Sequence, residues 1–255
     1  MRLTARGAPS PFRATVRLDV MLQARSRLYA IGLVVAVVLG LLLRRLFDPP
    51  NIGRALAGAF VLGVGGTTFM FGASMLLLAR SEGTLAALRT SGISTRVYLG
   101  AKVLTLTGFA LVESAIIFVL AAFDARIAIA PLLFGLVVLG AFYTLVGIGL
   151  AASHRVVTTF LFPWATAVAT ILQLPVLSLV EVGPSWLHYA IPTQAPLLAV
   201  RAAFEPLTGW QWVYVIGVSV VMVAGSAGYC DRRFRRHVRL GDPRGTETPR
   251  EGDQP

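Results

Sequence analysis

The sequence predicts an all-α integral membrane protein with six transmembrane helices, and three observations carry that prediction. Six apolar stretches run over roughly 28–46, 56–79, 103–122, 129–152, 158–180 and 210–229, each near or above the ~20 residues a helix needs to cross a bilayer. Only 14% of residues are charged, and a mean hydropathy of +0.73 fits a lipid-embedded bundle and not a soluble core. Basic residues gather on alternate loops. With both termini placed inside, 18 of the 23 Lys and Arg fall on the inner arm, loops and tail. The five left outside are Arg44, Arg45, Arg54, Arg126 and Arg201. That bias puts the arm and the tail in the cytoplasm. It also accounts for the +11 net charge without nucleic acid, because the basic residues hug span ends instead of forming one patch.

The first element is a cytoplasmic arm, residues 1–27. Phe12, Val16 and Val20 recur at four-residue steps beside a basic stripe of Arg13 and Arg17, the pattern of an amphipathic helix lying along the inner leaflet. The other reading of the arm is a plain extension of the first span into water. The first span itself is a retained helix. Six arginines precede it, and Arg44-Arg45-Leu46-Phe47-Asp48-Pro49-Pro50 follows it where a signal peptide would have a small-residue cleavage site. The second span carries Ala55, Ala59, Gly63 and Thr67 on one face, and such steps of small residues let helices approach closely in lipid. Packing within the chain and packing against another subunit both fit that face.

The loop 80–102 reads locally as a short helix between the second and third spans. Thr84 can cap its start, Leu85 and Leu88 share a face, Gly92 can end it, and Ser94 can cap the third span. Two exposed leucines on a short helix suit docking into a groove on another protein, or equally a rest on the membrane face. Glu113 lies mid-span, where an ionised side chain costs at least ~2.5–3.5 kcal/mol. It is read either as a substrate or proton contact or as a structural hydrogen bond to a neighbouring Ser or Thr. On the fifth span Thr159, Thr166, Thr170 and Gln173 form a polar stripe beside Pro163 and Pro175, suited to a translocation wall or to interhelical hydrogen bonds.

Between the fifth and sixth spans, residues 181–209 are broken by Gly183, Pro184, Pro192, Pro196 and Pro206. They are too interrupted to span and read as short helices at the outer interface, with Trp186, His188 and Tyr189 at headgroup depth. The unit 28–229 is thus one membrane domain. A basic, then disordered, tail follows over 230–255.

No catalytic pattern appears, neither Gly-x-Ser-x-Gly nor His-Glu-x-x-His. His154, His188 and His237 lack metal-ligand spacing, so no metal is expected. The single cysteine, Cys230, excludes an intrachain disulfide. Arginine outnumbers lysine 22 to one, a usage that points to a GC-rich bacterial genome.

Glu82-Gly83-Thr84-Leu85, Leu88, a serine, Tyr98 and Gly100-Ala101-Lys102 together resemble the signature of ABC-2 type transporter permeases. The stretch Pro184-Ser185-Trp186-Leu187, Pro192, Pro196 and Arg201 resembles that family's outer segment. Six spans and a basic amphipathic arm extend the resemblance over nearly the whole chain. Thr90-Ser91-Gly92 departs from it, since many relatives carry a Thr-Pro or similar turn there. The resemblance implies that Glu82, Gly83, Thr84, Leu85, Leu88 and Lys102 belong to a coupling helix meeting a separate nucleotide-binding ATPase. ATP and Mg would be held by that partner, as this chain has no Gly-x-x-x-x-Gly-Lys-Ser/Thr stretch and binds no cofactor.

It further implies a second permease copy or a sister permease, membrane lipid around both, and a path walled by the second and fifth spans. Glu113, Thr159, Thr166, Thr170 and Gln173 are the path candidates. The expected activity is export of a hydrophobic drug, antibiotic or lipid-like compound across the bacterial cytoplasmic membrane by alternating access. The competing readings are a polytopic membrane enzyme, or a permease-like assembly factor, acting on lipids or envelope precursors. An enzyme would need acids clustered at one membrane face, and here they are scattered.

The topology is testable by cysteine labelling in a Cys230→Ser background. Intact cells should label Ser185→Cys with an impermeant reagent and leave Ser10→Cys and Thr246→Cys unlabelled until lysis. Labelling of Ser10→Cys before lysis overturns the orientation.

Overall fold

A computed structural model describes residues 10–25, 27–85, 93–125, 127–154, 157–160, 166 and 171–238. Among them there is no strand, and the elements are ten α-helices with shorter 3₁₀ and π segments. In chain order the helices are α1 (Pro11–Arg25), α2 (Leu28–Leu46), α3 (Ile52–Ala59), α4 (Gly65–Ser81), α5 (Thr95–Ala122), α6 (Ile129–Ala151), α7 (Val157–Phe160), α8 (Ser185–Ala190), α9 (Gln194–Arg201) and α10 (Gly209–His237).

Among the described residues five runs are long and apolar enough to cross a membrane: α2, the unit Pro49–Ser81, α5, α6 and α10. Pro49–Ser81 is one rod from a 3₁₀ turn through α3, a π-helical segment (Phe60–Val64) and α4. It is longer than the 56–79 expected because Pro49 and Pro50 start a helix well, where the missing N–H would be unpaired anyway. The expected fifth span, 158–180, lies partly outside the described residues, at 161–165 and 167–170. Of it the structure shows α7, exposed Thr166, and a 3₁₀ segment over Leu174–Val180.

Helix ends follow their local chemistry. Gly83 adopts φ +72° just past α4, a left-handed turn that glycine takes without the steric cost a Cβ brings. Ser94 caps α5, its hydroxyl accepting from the Val97 N–H at 3.4 Å, as the sequence predicts. Thr208 and Gln211 form a reciprocal capping box on α10. Arg80 closes the end of α6, donating to the carbonyl oxygens of Ala152 at 2.9 Å and of His154. Cationic groups satisfy exposed carbonyls well at a helix C-terminus.

The most extensive helix pair is α4 with α6, and glycine makes it possible. A Cβ on Gly147 would run into the Phe69 carbonyl oxygen, and one on Gly72 would lie 3.0 Å from the Thr144 carbonyl oxygen. The two backbones therefore meet directly, as small residues permit in lipid. Around this crossing Phe60, Leu76, Leu77, Leu139, Tyr143 and Ile148 are fully buried.

Packing decides between the two readings of the arm and corrects two expectations. The arm is not a plain extension of the first span, the second of those readings. Arg27 turns left-handed (φ 59°) between α1 and α2, and α1 folds back on α5. Its buried face is Thr15, Asp19 and Gln23, while Phe12, Leu18, Val20 and Met21 are exposed. Leu85, expected on an exposed docking face, is buried in the main core; Leu88 lies outside the described residues. The segment 181–209 does form short helices, but α9 is sunk in the bundle from Gln194 to Val200, against α6, α10 and α3. His188, expected at headgroup depth, is buried too, whereas Trp186 stays exposed.

Gly147→Val should lower thermal stability in detergent by about 1–3 kcal/mol through overpacking against backbone that cannot move aside. Gly217→Ala on α10, where a Cβ meets nothing within 4 Å, should not. Reactivity of the fully buried Cys230 thiol during heating reports both.

Candidate functional site: an apolar groove, a buried acid and an exposed turn

The small-residue face of the second span meets other helices of this chain only in part: Thr67 bonds to Glu113 of α5, and a Cβ on Gly63 would lie 2.8 Å from the Leu39 side chain of α2. Ala55, Gly58, Ala59 and Gly63 also form one wall of a groove of about 1000 Å³. Val34, Val38 and Leu42 of α2 face them, and Val176 and Val180 of the 3₁₀ segment complete it. The lining is apolar except at one end, where Asn51 and Arg54 stand. Gln173 is not part of the lining but donates from Nε2 to the carbonyl oxygen of Leu62, which is, at 3.4 Å. Among the other expected path residues, Thr159 and Thr166 have exposed side chains, and Thr170 lies outside the described residues.

Glu113 is kept out of the groove. It is 2% exposed, and its Oε2 accepts a hydrogen bond from Thr67 at 3.0 Å. Thr67 in turn reaches the Val64 carbonyl oxygen in the π segment. Gly32 of α2 leaves room for the acid, since a Cβ there would approach Oε1 to 2.5 Å. Glu113 thus joins the first, second and third spans through one carboxylate. The partner threonine, on the face that also carries Gly63, is the kind of neighbour expected by one of the two readings of Glu113, the structural hydrogen bond.

At the opposite end of the groove from Gly63, a chain of ion pairs ties the broken segment to the second span. Arg54 lies 3.9 Å from Glu181 and 3.6 Å from Glu205, and Arg201 donates to Glu205 at 2.9 Å. The hydrogen bond from Arg201, helped by the charges of Arg201 and Arg54, holds the Glu205 carboxyl below the usual carboxylate range. Pro192 is exposed at the start of the turn before α9, and Pro196 is buried within α9. The Pro196 carbonyl oxygen would lie 3.0 Å from a Cβ on Gly135 of α6.

At the other end of the bundle the turn after α4 presents Ser81, Glu82 and Gly83 as exposed residues, with Thr84 half-buried. Lys102, expected beside them in a loop, lies inside α5 and is buried in an ion pair with Asp19 of the arm. Sequence reasoning overlooked Asp19, Gln23 and Thr105, which surround it. The readable signal was Thr15, Asp19 and Gln23 at four-residue steps, a polar stripe on a helix whose apolar and basic stripes were already accounted for. Among the described residues no group of three His, Cys, Asp or Glu could hold a metal.

The sequence profile of the fluoroquinolones export permease protein family matches residues 10–240. The chain belongs to that family. Fluoroquinolones export permease proteins from two Mycobacterium tuberculosis strains, CDC 1551 and H37Rv, are each 28% identical to it over 229 residues. Each alignment covers 88% of this chain and 94% of the relative. The family's matched region takes in every element from α1 to the end of α10. The protein is therefore a membrane-embedded export permease, a transport subunit and not an enzyme. The resemblance to ABC-2 type permeases drawn from the 80–102 loop agrees with this membership.

Thr67→Val should cost about 1 kcal/mol, the scale of one interhelical hydrogen bond in lipid, because it leaves Glu113 buried without its donor. Glu113→Gln, which can still accept from Thr67, should cost less. Unfolding followed by Cys230 reactivity ranks the two, and equal losses would refute the assigned bond.

Proposed function

We propose that this permease is the transmembrane half of an ATP-driven exporter of the ABC-2 type and moves an apolar or amphipathic compound out of the cell. The carrying observation is the groove of about 1000 Å³. It is bounded by the second span and the 3₁₀ segment that continues the fifth, the two walls the resemblance assigns to the path. Its lining offers apolar surface with few polar contacts, which suits a cargo that must leave again. The names of the mycobacterial relatives specify fluoroquinolone export. Planar, amphipathic aromatic drugs of that kind are the cargo class we extend to this chain.

A sixth crossing belongs to the proposal. α6 ends beside Arg80, near the arm, whereas α10 begins beside Tyr189 of the broken segment. The 3₁₀ segment lies in between, against Leu62 and Arg54. A crossing between His154 and Val180 is the reading these two positions support. Six crossings place the arm and the last helix end on one side, and the basic bias makes that side the cytoplasm.

ATP and Mg then reside on a separate ATPase that meets the exposed turn at Ser81, Glu82 and Gly83. With Leu85 turned inward, that contact is carried by the turn's polar surface. A second permease, identical or sister, would cover the open side of the groove.

Co-expression with the partner ATPase should raise the ciprofloxacin concentration that cells tolerate. Glu82→Arg should abolish both that resistance and co-purification of the ATPase while leaving Cys230 protected. Unchanged co-purification refutes the turn as the contact. If wild-type permease with its ATPase shifts tolerance or accumulation for no compound in a drug panel, the cargo is instead a lipid or envelope precursor.

A further inference from the structure

The permease holds an ion pair that export as such does not require. Asp19 of α1 and Lys102 of α5 are each 4% exposed and bonded to one another across 83 residues of sequence. Asp19 also accepts from Gln23 Nε2 and Thr105 Oγ1, Gln23 donates to Thr105 at 2.9 Å, and Tyr29 donates to Gln23 at 2.6 Å. Every member of the cluster is therefore paired. Lys102 is the one lysine among 23 basic residues, a compact point charge with three rotatable donors where every other basic residue is a planar guanidinium.

The surroundings of this pair point to what it links. A cavity of about 30 Å³ borders it, lined by Asp19 and Lys102, by Tyr98 of α5, and by Ala79 and Thr84 from the α4 end and the turn. That is room for a single water molecule. The buried Tyr98 hydroxyl, which has no hydrogen-bond partner among the described residues, belongs to the same wall, and the Tyr98 ring packs on Phe234 of α10 at 5.4 Å. A second, larger cavity brings Arg25 of the arm together with Glu82, Thr84 and Lys102. Arm, turn, third span and last span thus meet at one polar junction.

A buried pair of opposite charges behaves unlike an apolar contact. Separating it leaves two uncompensated charges, so the joint is closed or broken, with little give between. Replacing both partners by apolar residues of similar size is commonly neutral for stability. Stability alone therefore gives no reason for a charged joint here.

We propose that Asp19 and Lys102 are positioning residues for coupling. They make the arm, the start of the third span and the exposed turn move as one rigid body, so that a push at the turn reaches the spans. This rests on the reading of the turn as the ATPase contact.

The test uses full-length permease with its ATPase in liposomes, with ciprofloxacin as probe and cargo-stimulated ATP hydrolysis as readout. The double variant Asp19→Leu/Lys102→Met leaves the Gln23, Thr105 and Tyr29 bonds available. It should keep Cys230 protected and the ATPase bound, yet lose most of the stimulation. The reversed pair, Asp19→Lys/Lys102→Asp, should recover it. Wild-type stimulation in the apolar variant overturns the proposal, and so does loss of stimulation only in step with loss of Cys230 protection. Absence of stimulation in the wild-type sample counts against the ATP-driven reading instead, a distinguishable failure.

Discussion

Inside a bilayer no water is at hand to complete a broken hydrogen bond, so a polar group that leaves the headgroup region must find a protein partner. Much of this permease is arranged around that constraint. Glu113 is tolerated because Thr67 and the gap at Gly32 receive it. The carbonyls ending α6 are closed by Arg80 from the neighbouring span. Asp19 and Lys102 can be buried only because each supplies the other's countercharge and Gln23 and Thr105 fill the remaining positions. In each case one polar side chain fixes the register between two helices, a service that non-directional apolar packing does not perform.

Two kinds of helix contact share the second span. Along α4, Gly72 and the facing Gly147 bring backbones together until no side chain fits between, and the second and fourth spans are sealed. About two and a half to three and a half turns toward the other end, Ala59 and Gly63 have the same small size but no close backbone opposite, and the result is a groove. The π segment lies at the change-over. Its wider turn frees carbonyls, and these accept bonds from Thr67, Thr68 and Gln173. Such bulges recur at functional positions in helices. One span thus combines a fixed seam with an open wall, a division of labour that suits a transport subunit.

The two ends of the bundle are built differently. At the end bearing the broken segment, α9 is driven into the core by Ala195, Leu197, Ala199 and Val200, and exposed ion pairs through Arg54 and Glu205 fasten its far side. Exposed pairs of that kind contribute little by themselves, so burial of α9 carries the attachment. At the arm end the fastening is electrostatic and buried, and it adjoins a turn whose outermost residues are polar.

The sequence by itself determined what depends on local composition and period. The long apolar runs, the Ser94 cap, the broken character of 181–209 and the transport family were all legible, because each rests on neighbouring residues or on a short motif. Tertiary structure decided which face of a helix meets which neighbour. The arm shows apolar, basic and polar stripes, and only the presence of Lys102 and Thr105 on α5 selects the polar one for burial. Leu85 and His188 look exposed in isolation, yet Leu85 packs into the main core and His188 is buried. Ala55, Ala59 and Gly63 read equally as a packing seam or a cavity wall. Small side chains permit close approach without compelling it, and here the neighbouring first span leans onto α5 and leaves that face open.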